Sequence, residues 1–104
     1  MEYFRDKVAA VTGAASGMGR ALAVELARRG CHLALSDVDE AGLQATAAQA
    51  RAHGVRVSVA RVDMAARDEV QAWAERVAQE HGKVNLVFNN AGVALSALLE
   101  SEGP

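Results

Sequence analysis

The chain has 104 residues, 51% of them hydrophobic, and a formal net charge of −2, which suits one small domain with an apolar core. No basic block appears, which argues against a nucleic acid or an anionic membrane surface as a partner. One cysteine, Cys31, excludes an internal disulfide, and no apolar segment is long enough for a signal peptide or a membrane span, so we expect a cytoplasmic protein.

The first predicted strand, residues 7–12, leads directly into a loop with glycines at positions 13, 17 and 19. Glycine adopts backbone angles closed to other residues and allows a ligand to approach the main chain closely. The helix predicted over residues 17–29 presents unpaired N–H groups and the positive end of its dipole to this loop. Together these features predict a site for a pyrophosphate group. The alternative is a tight strand-to-helix turn that binds no ligand.

The second predicted strand, residues 31–36, is followed by Asp37. Its distance from the glycine loop is about that which the dinucleotide-binding fingerprint requires of an acidic residue. A carboxylate at this position can accept hydrogen bonds from the hydroxyls of a ribose. Alternatively, Asp37 is only a polar residue in the turn before Asp39, which is predicted to cap the second helix, residues 39–53.

The same alternation continues to the end of the fourth strand. The remaining predicted elements are a strand over residues 55–61, a helix over 67–81 and a strand over 84–89. Gly30, Gly54 and Gly82 each follow a helix, where a left-handed stop is needed, and Trp73 belongs to an apolar helix stripe that should pack on the sheet. The chain is predicted to be one α/β domain, residues 1–104, with a Rossmann-type doubly wound parallel sheet of strand order 3-2-1-4 and three helices.

The carboxyl ends of the predicted strands carry a second motif. Ligands bind at these ends where the strand order reverses, and the fourth strand ends in Asn89-Asn90-Ala91-Gly92. With the loop Thr12-Gly13-Ala14-Ala15-Ser16-Gly17-Met18-Gly19, this segment resembles the compact type of short-chain dehydrogenases/reductases. The resemblance covers roughly residues 5–95, and the glycine spacing differs from the G-x-G-x-x-G of other Rossmann enzymes.

The resemblance implies an NAD(P)-dependent oxidoreductase that transfers a hydride between nicotinamide and a small-molecule alcohol or carbonyl substrate. It implies that the pyrophosphate and the adjoining ribose are bound by Gly13, Ser16, Gly17, Met18 and Gly19. It also implies that the adenosine ribose is bound by Asp37, the adenine ring by Asp63 and Met64, and the second ribose with the nicotinamide by Asn90, Ala91 and Gly92. No metal site is expected.

The residues around Asp37 favour NAD over NADP. A carboxylate there bonds a free 2′-hydroxyl and repels a 2′-phosphate. Chains that prefer NADP usually supply an Arg or a Lys nearby, whereas this chain has Ala14, Ala15 and Val38. We therefore predict NAD(H) as the preferred cofactor.

Structural roles remain open for several of these residues. Asp63 could cap the third helix, and Ser16 could cap the first helix with or without a phosphate contact. Asn89 and Asn90 could serve only to tie strands together. Arg20, which follows the last glycine of the loop, is predicted to point to solvent or to a neighbouring carboxylate rather than to a phosphate.

The catalytic groups of the family are an Asn, a Ser and a Tyr-x-x-x-Lys pair, which follow the Asn-Asn-Ala-Gly segment in its members. This chain contains no Tyr-x-x-x-Lys, its one tyrosine is Tyr3, and Ser96 and Ser101 are too close to the fourth strand. Cys31 and the three histidines are predicted to be packing or surface residues. We expect the N-terminal, cofactor-binding part of a longer homo-oligomeric enzyme, inactive by itself. The alternative is a stand-alone nucleotide-binding or truncated non-catalytic module.

Overall fold

The computed structural model describes residues 3–90, and strands and helices alternate throughout this part of the chain. The elements are β1 (Val8–Thr12), α1 (Gly17–Arg28), β2 (His32–Asp37), α2 (Glu40–Arg51), β3 (Val57–Arg61), α3 (Arg67–His81) and β4 (Leu86–Asn89). Each predicted element is present with its predicted type. Helix α2 stops two residues earlier than predicted because the N–H groups of His53 and Gly54 bond carbonyls three residues back, in a turn tighter than an α-helix.

The four strands form one parallel sheet in the order β3-β2-β1-β4, as predicted. Strand β1 pairs with both β2 and β4, and all five of its residues are buried. A strand covered on both faces reads as a continuous apolar run, which accounts for its sequence. Ala9 and Ala10 point to opposite faces of the sheet and belong to different core clusters. The sheet is therefore doubly wound, and the Rossmann-type prediction is confirmed.

Two apolar cores lie on the two faces of the sheet. Helices α1 and α2 cover one face with residues that include Ala23, Leu26, Ala27, Leu43 and Ala50. Helix α3 covers the other face with Val70, Trp73, Ala74 and Val77. Trp73 is only 1% exposed, which confirms it as a packing residue. Within residues 3–90, no helix combines the length and the apolar character needed to cross a membrane.

The helix ends follow the predicted pattern. Gly30, Gly54 and Gly82 all have positive φ angles, of +88°, +84° and +77°, which is the left-handed backbone expected after a helix. At the start of α2, Asp39 Oδ1 accepts a hydrogen bond from the N–H of Gly42 at 3.0 Å, so Asp39 is the predicted cap. These sharp ends allow the short connections that return each strand parallel to the previous one.

Candidate functional site

The carboxyl ends of the strands bring most of the predicted site residues to one edge of the sheet. In the strand register, Thr12 at the end of β1 lies opposite both Ser36 of β2 and Asn89 of β4. The glycine loop, residues 13–19, leaves β1 at this edge, and Asp37 is the last residue of the neighbouring strand. The candidate site is therefore the surface formed by the glycine loop and the ends of β2, β3 and β4.

The middle of the glycine loop is fixed from within the protein. Ala14 and Ala15, which we call the loop base, are 0% and 1% exposed, and each uses both its N–H and its carbonyl in hydrogen bonds. The partners are Ser36 O (3.1 Å) and Thr46 Oγ1 (2.8 Å) for Ala14, and Asp37 Oδ2 (2.9 Å) and Arg20 Nη2 (2.6 Å) for Ala15. The loop base is thus an anchor, with its polar groups committed to the protein.

The next three residues have the opposite character. Ser16, Gly17 and Met18, which we call the loop tip, are exposed, and Gly17 has a φ of +56° with nothing within 4 Å of the position that a Cβ would take. Ser16 is the N-cap residue of α1, the position weighed for it as an alternative, but its side chain makes no capping hydrogen bond. The first turn of α1 holds no acidic residue either. Within residues 3–90, the first N–H groups of this helix therefore have no intrahelical or side-chain partner.

Gly19 permits the close contact that shapes the loop. A Cβ on this residue would lie 1.9 Å from the carbonyl oxygen of Gly13, a distance that no structure tolerates without a backbone shift. The same carbonyl accepts a hydrogen bond from Asn90 Nδ2 at 3.2 Å. The start of α1 is thereby held against the end of β1, and Asn90 ties this contact to the end of β4.

Asp37 links the loop to the end of β2. Its Oδ2 accepts the N–H of Ala15, and its Oδ1 accepts the N–H groups of Val38 at 2.7 Å and Asp39 at 3.2 Å. Asp37 therefore stabilises the turn before α2, which is the alternative role left open for it, and it also contacts the glycine loop. A carboxylate has about four lone-pair positions, so these three bonds leave room for a further donor.

Asp63 occupies a turn rather than a helix cap. Helix α3 begins at Arg67 with Ala66 as its N-cap, so the capping role left open as an alternative for Asp63 is excluded. Its Oδ1 instead accepts the N–H of Ala65 at 2.9 Å, within the turn that follows β3. Met64, also in this turn, packs partly against the α3 face of the core. Both residues lie at the predicted edge, because β3 ends two residues before Asp63.

The two asparagines at the end of β4 make the structural contacts that were left open. Asn89 Oδ1 accepts the hydroxyl of Thr12 at 3.0 Å, which joins β4 to β1. Asn90 bonds Gly13 as described above. Ala91 and Gly92, the other predicted residues of this segment, lie outside the described residues.

Sequence reasoning missed a group of residues behind the loop. Arg20 does not point to solvent or to a carboxylate as predicted: it bonds Thr46 Oγ1 at 2.9 Å and the carbonyls of Ala15 at 2.6 Å and Gly42 at 3.2 Å. The signal for this group was Thr46, a polar residue in the apolar stripe of α2, where it is fully buried. A buried hydroxyl requires a partner, and the charged side chain of Arg20 supplies one.

The cysteine and the histidines lie away from this edge. Cys31 is buried directly before β2, and burial raises the pKa of its thiol to about 11, so a small core residue is confirmed and a reactive thiolate is disfavoured. His81 ends α3 and lies 2.9 Å from the hydroxyl of Ser58. Burial is the main cause that lowers the pKa of His81, with the charge of Arg56 as the next.

Comparisons with known proteins agree with this architecture. The chain is 49% identical to SadH of Mycobacterium tuberculosis over 94 residues, which is 90% of this chain and 34% of that protein. A short-chain dehydrogenase/reductase of Burkholderia phymatum, solved in complex with NAD, superposes with a TM-score of 0.78 at 44% identity, over 84% of this chain and 31% of that one. A metagenomic short-chain oxidoreductase solved with NADP superposes with a TM-score of 0.81 at 33% identity, over 86% and 41%.

The chain thus spans about a third of the length of SadH and of the Burkholderia protein. The model of the short chain dehydrogenase family matches residues 7–102, which is nearly the whole chain. The glycine loop after β1, the 3-2-1-4 sheet and these matches lead to one conclusion: this chain belongs to the short-chain dehydrogenase/reductase family of oxidoreductases.

Proposed function

We propose that this chain is the N-terminal, dinucleotide-binding part of an NAD-dependent oxidoreductase that acts on a small-molecule alcohol or carbonyl compound. The observation that carries the proposal is the exposed loop tip at the start of α1, with the Asp37 carboxylate beside the same loop. The pyrophosphate of NAD would bind at the loop tip, and its adenosine ribose would bind at Asp37.

The glycine loop fits a pyrophosphate. An anion at a helix N-terminus is stabilised by unpaired N–H groups and by the positive end of the helix dipole. Helix α2 fills this position with its own Asp39 cap and α3 has Asp68 and Glu69 in its first turn, whereas α1 has no such group. We assign the pyrophosphate contacts to the N–H groups and hydroxyl of the loop tip, together with Gly13 and Gly19, which keep the main chain compact there.

Asp37 supports NAD rather than NADP as the cofactor. Its carboxylate is already fixed by three backbone N–H groups, and one acceptor position is left for a ribose hydroxyl. A 2′-phosphate would bring a second negative charge against this carboxylate. Because Val38 and the loop base offer no cation, nothing in these neighbours would offset that repulsion.

Apolar surface beside the loop supports the same proposal. Met18 is 73% exposed and Val38 is 51% exposed, although most large apolar side chains in residues 3–90 are covered. Exposed apolar groups beside a polar site are typical of surfaces that a ligand covers. We assign Val38, with Asp63 and Met64, to the adenine side of the site. Met18 lies in the loop tip assigned to the pyrophosphate, and Asn90, with Ala91 and Gly92 of the family motif, is assigned to the nicotinamide side.

Bound nicotinamide supplies the chemistry by accepting a hydride from an alcohol carbon or giving one to a carbonyl carbon. The described residues of this chain have the task of holding and orienting the dinucleotide, and we assign none of them a proton transfer. We further propose that the 104 residues by themselves turn over no substrate, because the family's Tyr-x-x-x-Lys pair does not occur in them.

Calorimetric titration of the chain with NAD, NADP and adenosine tests the proposal. We expect NAD to bind and NADP to bind about tenfold or more weakly, a difference of about 1.4 kcal/mol. Adenosine should bind more weakly than NAD because it lacks the pyrophosphate. Equal dissociation constants for NAD and NADP would refute the preference, and no heat with either dinucleotide would refute the proposed function.

A further inference from the structure

We propose that Arg20 is a positioning residue for the glycine loop: together with Thr46 it holds the carbonyl groups of the loop base away from the site, so that the N–H groups of the loop tip face the ligand. This inference rests on the proposed function in one respect, that the loop tip binds a pyrophosphate. Arg20 itself would touch no phosphate.

The contacts form a closed group behind the loop. Arg20 Nη2 donates to the carbonyls of Ala15 at 2.6 Å and Gly42 at 3.2 Å, and its Nε donates to Thr46 Oγ1 at 2.9 Å. The Thr46 hydroxyl lies 2.8 Å from the carbonyl of Ala14 and 3.1 Å from that of Gly42. It has one proton, and the shorter contact favours Ala14 as the acceptor. The carbonyl of Ala14 is therefore held by Thr46 of α2, and that of Ala15 by Arg20 of α1.

The direction of these carbonyls matters for an anion. A carbonyl oxygen carries partial negative charge, so a loop whose carbonyls turned toward a pyrophosphate would repel it, whereas N–H groups attract it. The N–H groups of Ala14 and Ala15 are bonded to β2, and their carbonyls are bonded to Arg20 and Thr46. With all four groups fixed, the peptide planes of the loop base cannot rotate without breaking hydrogen bonds, and the loop tip is preorganised.

The chemistry of the group requires an arginine at position 20. One planar guanidinium spans a hydroxyl and two carbonyls from two different segments, which a lysine ammonium on a flexible stem does not reproduce. The group also requires close approach of α2, and Gly42 provides it. A Cβ there would lie 2.8 Å from both the carbonyl oxygen and the Cβ of Ala15 and 2.6 Å from Asp39 Oδ2.

Amide hydrogen exchange in the ligand-free protein, measured by NMR, tests the positioning role without a cofactor. In Arg20→Met and Thr46→Val, we expect the Ala14 and Ala15 amides, which are bonded to β2, to exchange about tenfold faster, the change for loss of one hydrogen bond of about 1.4 kcal/mol. Thr46→Ser keeps the hydroxyl, so these amides should exchange at the wild-type rate in that variant. Arg28→Met removes an exposed arginine from the same helix and is the matched control.

Binding gives the second measurement. Arg20→Met should lower the affinity for NAD about tenfold, the change expected for loss of one hydrogen bond. The affinity for adenosine should stay unchanged, since only the phosphate contacts depend on the loop tip. Should Arg20→Met fail to fold, the affinities for NAD and adenosine can be compared in the same way in Arg20→Lys and Thr46→Val. Unchanged exchange in a folded variant, or an equal loss of NAD and adenosine affinity, would overturn the inference. Wild-type protein that binds no NAD would refute the proposed function, and the exchange data would still decide whether Arg20 holds the loop base.

Discussion

The N–H of Ala15 donates to Asp37 Oδ2 at 2.9 Å, so the carboxylate at the end of β2 also forms part of the glycine loop. Ala15 is 1% exposed, and its N–H therefore has no access to water as a substitute acceptor. Asp37, which we propose binds a ribose, thus also holds the glycine loop in the protein without a ligand. Changes at Asp37 should alter both the loop and the cofactor preference.

Asp37→Ala should lower the free energy of unfolding by about 1–3 kcal/mol, because the buried N–H of Ala15 loses a charged acceptor. The variant should also lose NAD affinity and part of the discrimination against NADP. Urea denaturation and calorimetry measure the two effects. Asp39→Ala, which removes only the cap of α2 and should cost about 1 kcal/mol, is the control. Wild-type stability and NAD affinity in Asp37→Ala would contradict the double role.

Two glycines of the loop should respond to alanine for different reasons. Gly19→Ala places a Cβ 1.9 Å from the carbonyl oxygen of Gly13, and we expect a loss of about 3 kcal/mol or more because backbone must move. Gly17→Ala meets no atom within 4 Å and should cost only about 1–2 kcal/mol for its left-handed backbone. Thermal or urea unfolding of both variants checks the order. A smaller loss in Gly19→Ala than in Gly17→Ala would show that the contact with Gly13 is not tight.

Stability should fall on the acid side because of His81. Burial, with positive charge on Arg56 and His32, lowers its pKa in the folded state, while Glu80 acts in the opposite direction. A lowered folded-state pKa means that the unfolded chain binds the proton more tightly, so stability is lost as pH falls below about 6.5, the unperturbed value. Urea unfolding between about pH 7.5 and about pH 5.5, on either side of that value, should show this loss. In His81→Gln the loss should be smaller, and an unchanged acid dependence would contradict the assignment. His53→Gln, on an exposed histidine, is the control.

Cys31 should resist alkylation while the protein is folded. Burial raises the pKa of its thiol to about 11, and the thiolate is the reactive form. At pH 8 iodoacetamide should modify the native protein far more slowly than the urea-unfolded chain, whose thiol has an ordinary pKa of about 8.5. Mass spectrometry of timed samples measures the two rates. Comparable rates in the two states would mean that the start of β2 opens readily.

Most of the fold was predictable because each signal was local and physical. The apolar runs of β1 and β2, the helical stripe around Trp73 and the glycines after each helix all predicted elements that the structure contains. The strand order followed from the alternation of strands and helices, from the rules for right-handed crossovers and from the doubly wound arrangement. Boundaries were less certain where a helix end tightens, as it does at His53 and Gly54.

The candidate site was predicted in its outline but not in its internal bonding. The sequence located the glycine loop, Asp37 and Asn90 at one edge, since the ends of parallel strands must meet there. It did not predict that Arg20 turns inward, because its partners Thr46 and Gly42 come from another helix and meet it only in the folded chain. Ser16 is the N-cap residue of α1 without a side-chain capping bond, and Asp63 bonds within a turn, because a capping residue type does not by itself determine where the side chain bonds.

The most direct test of the account is an NMR titration of the ¹⁵N-labelled chain with NAD. We predict shifts of the amides from Ser16 to Gly19, which mark the pyrophosphate contacts, and of Val38 and Met64, which mark the adenine contacts. The amides of Cys31 and His81, away from that edge, should stay unchanged. Saturable shifts confined to the first group would support dinucleotide binding at the glycine loop. No shifts, or shifts centred on Cys31 and His81, would contradict it.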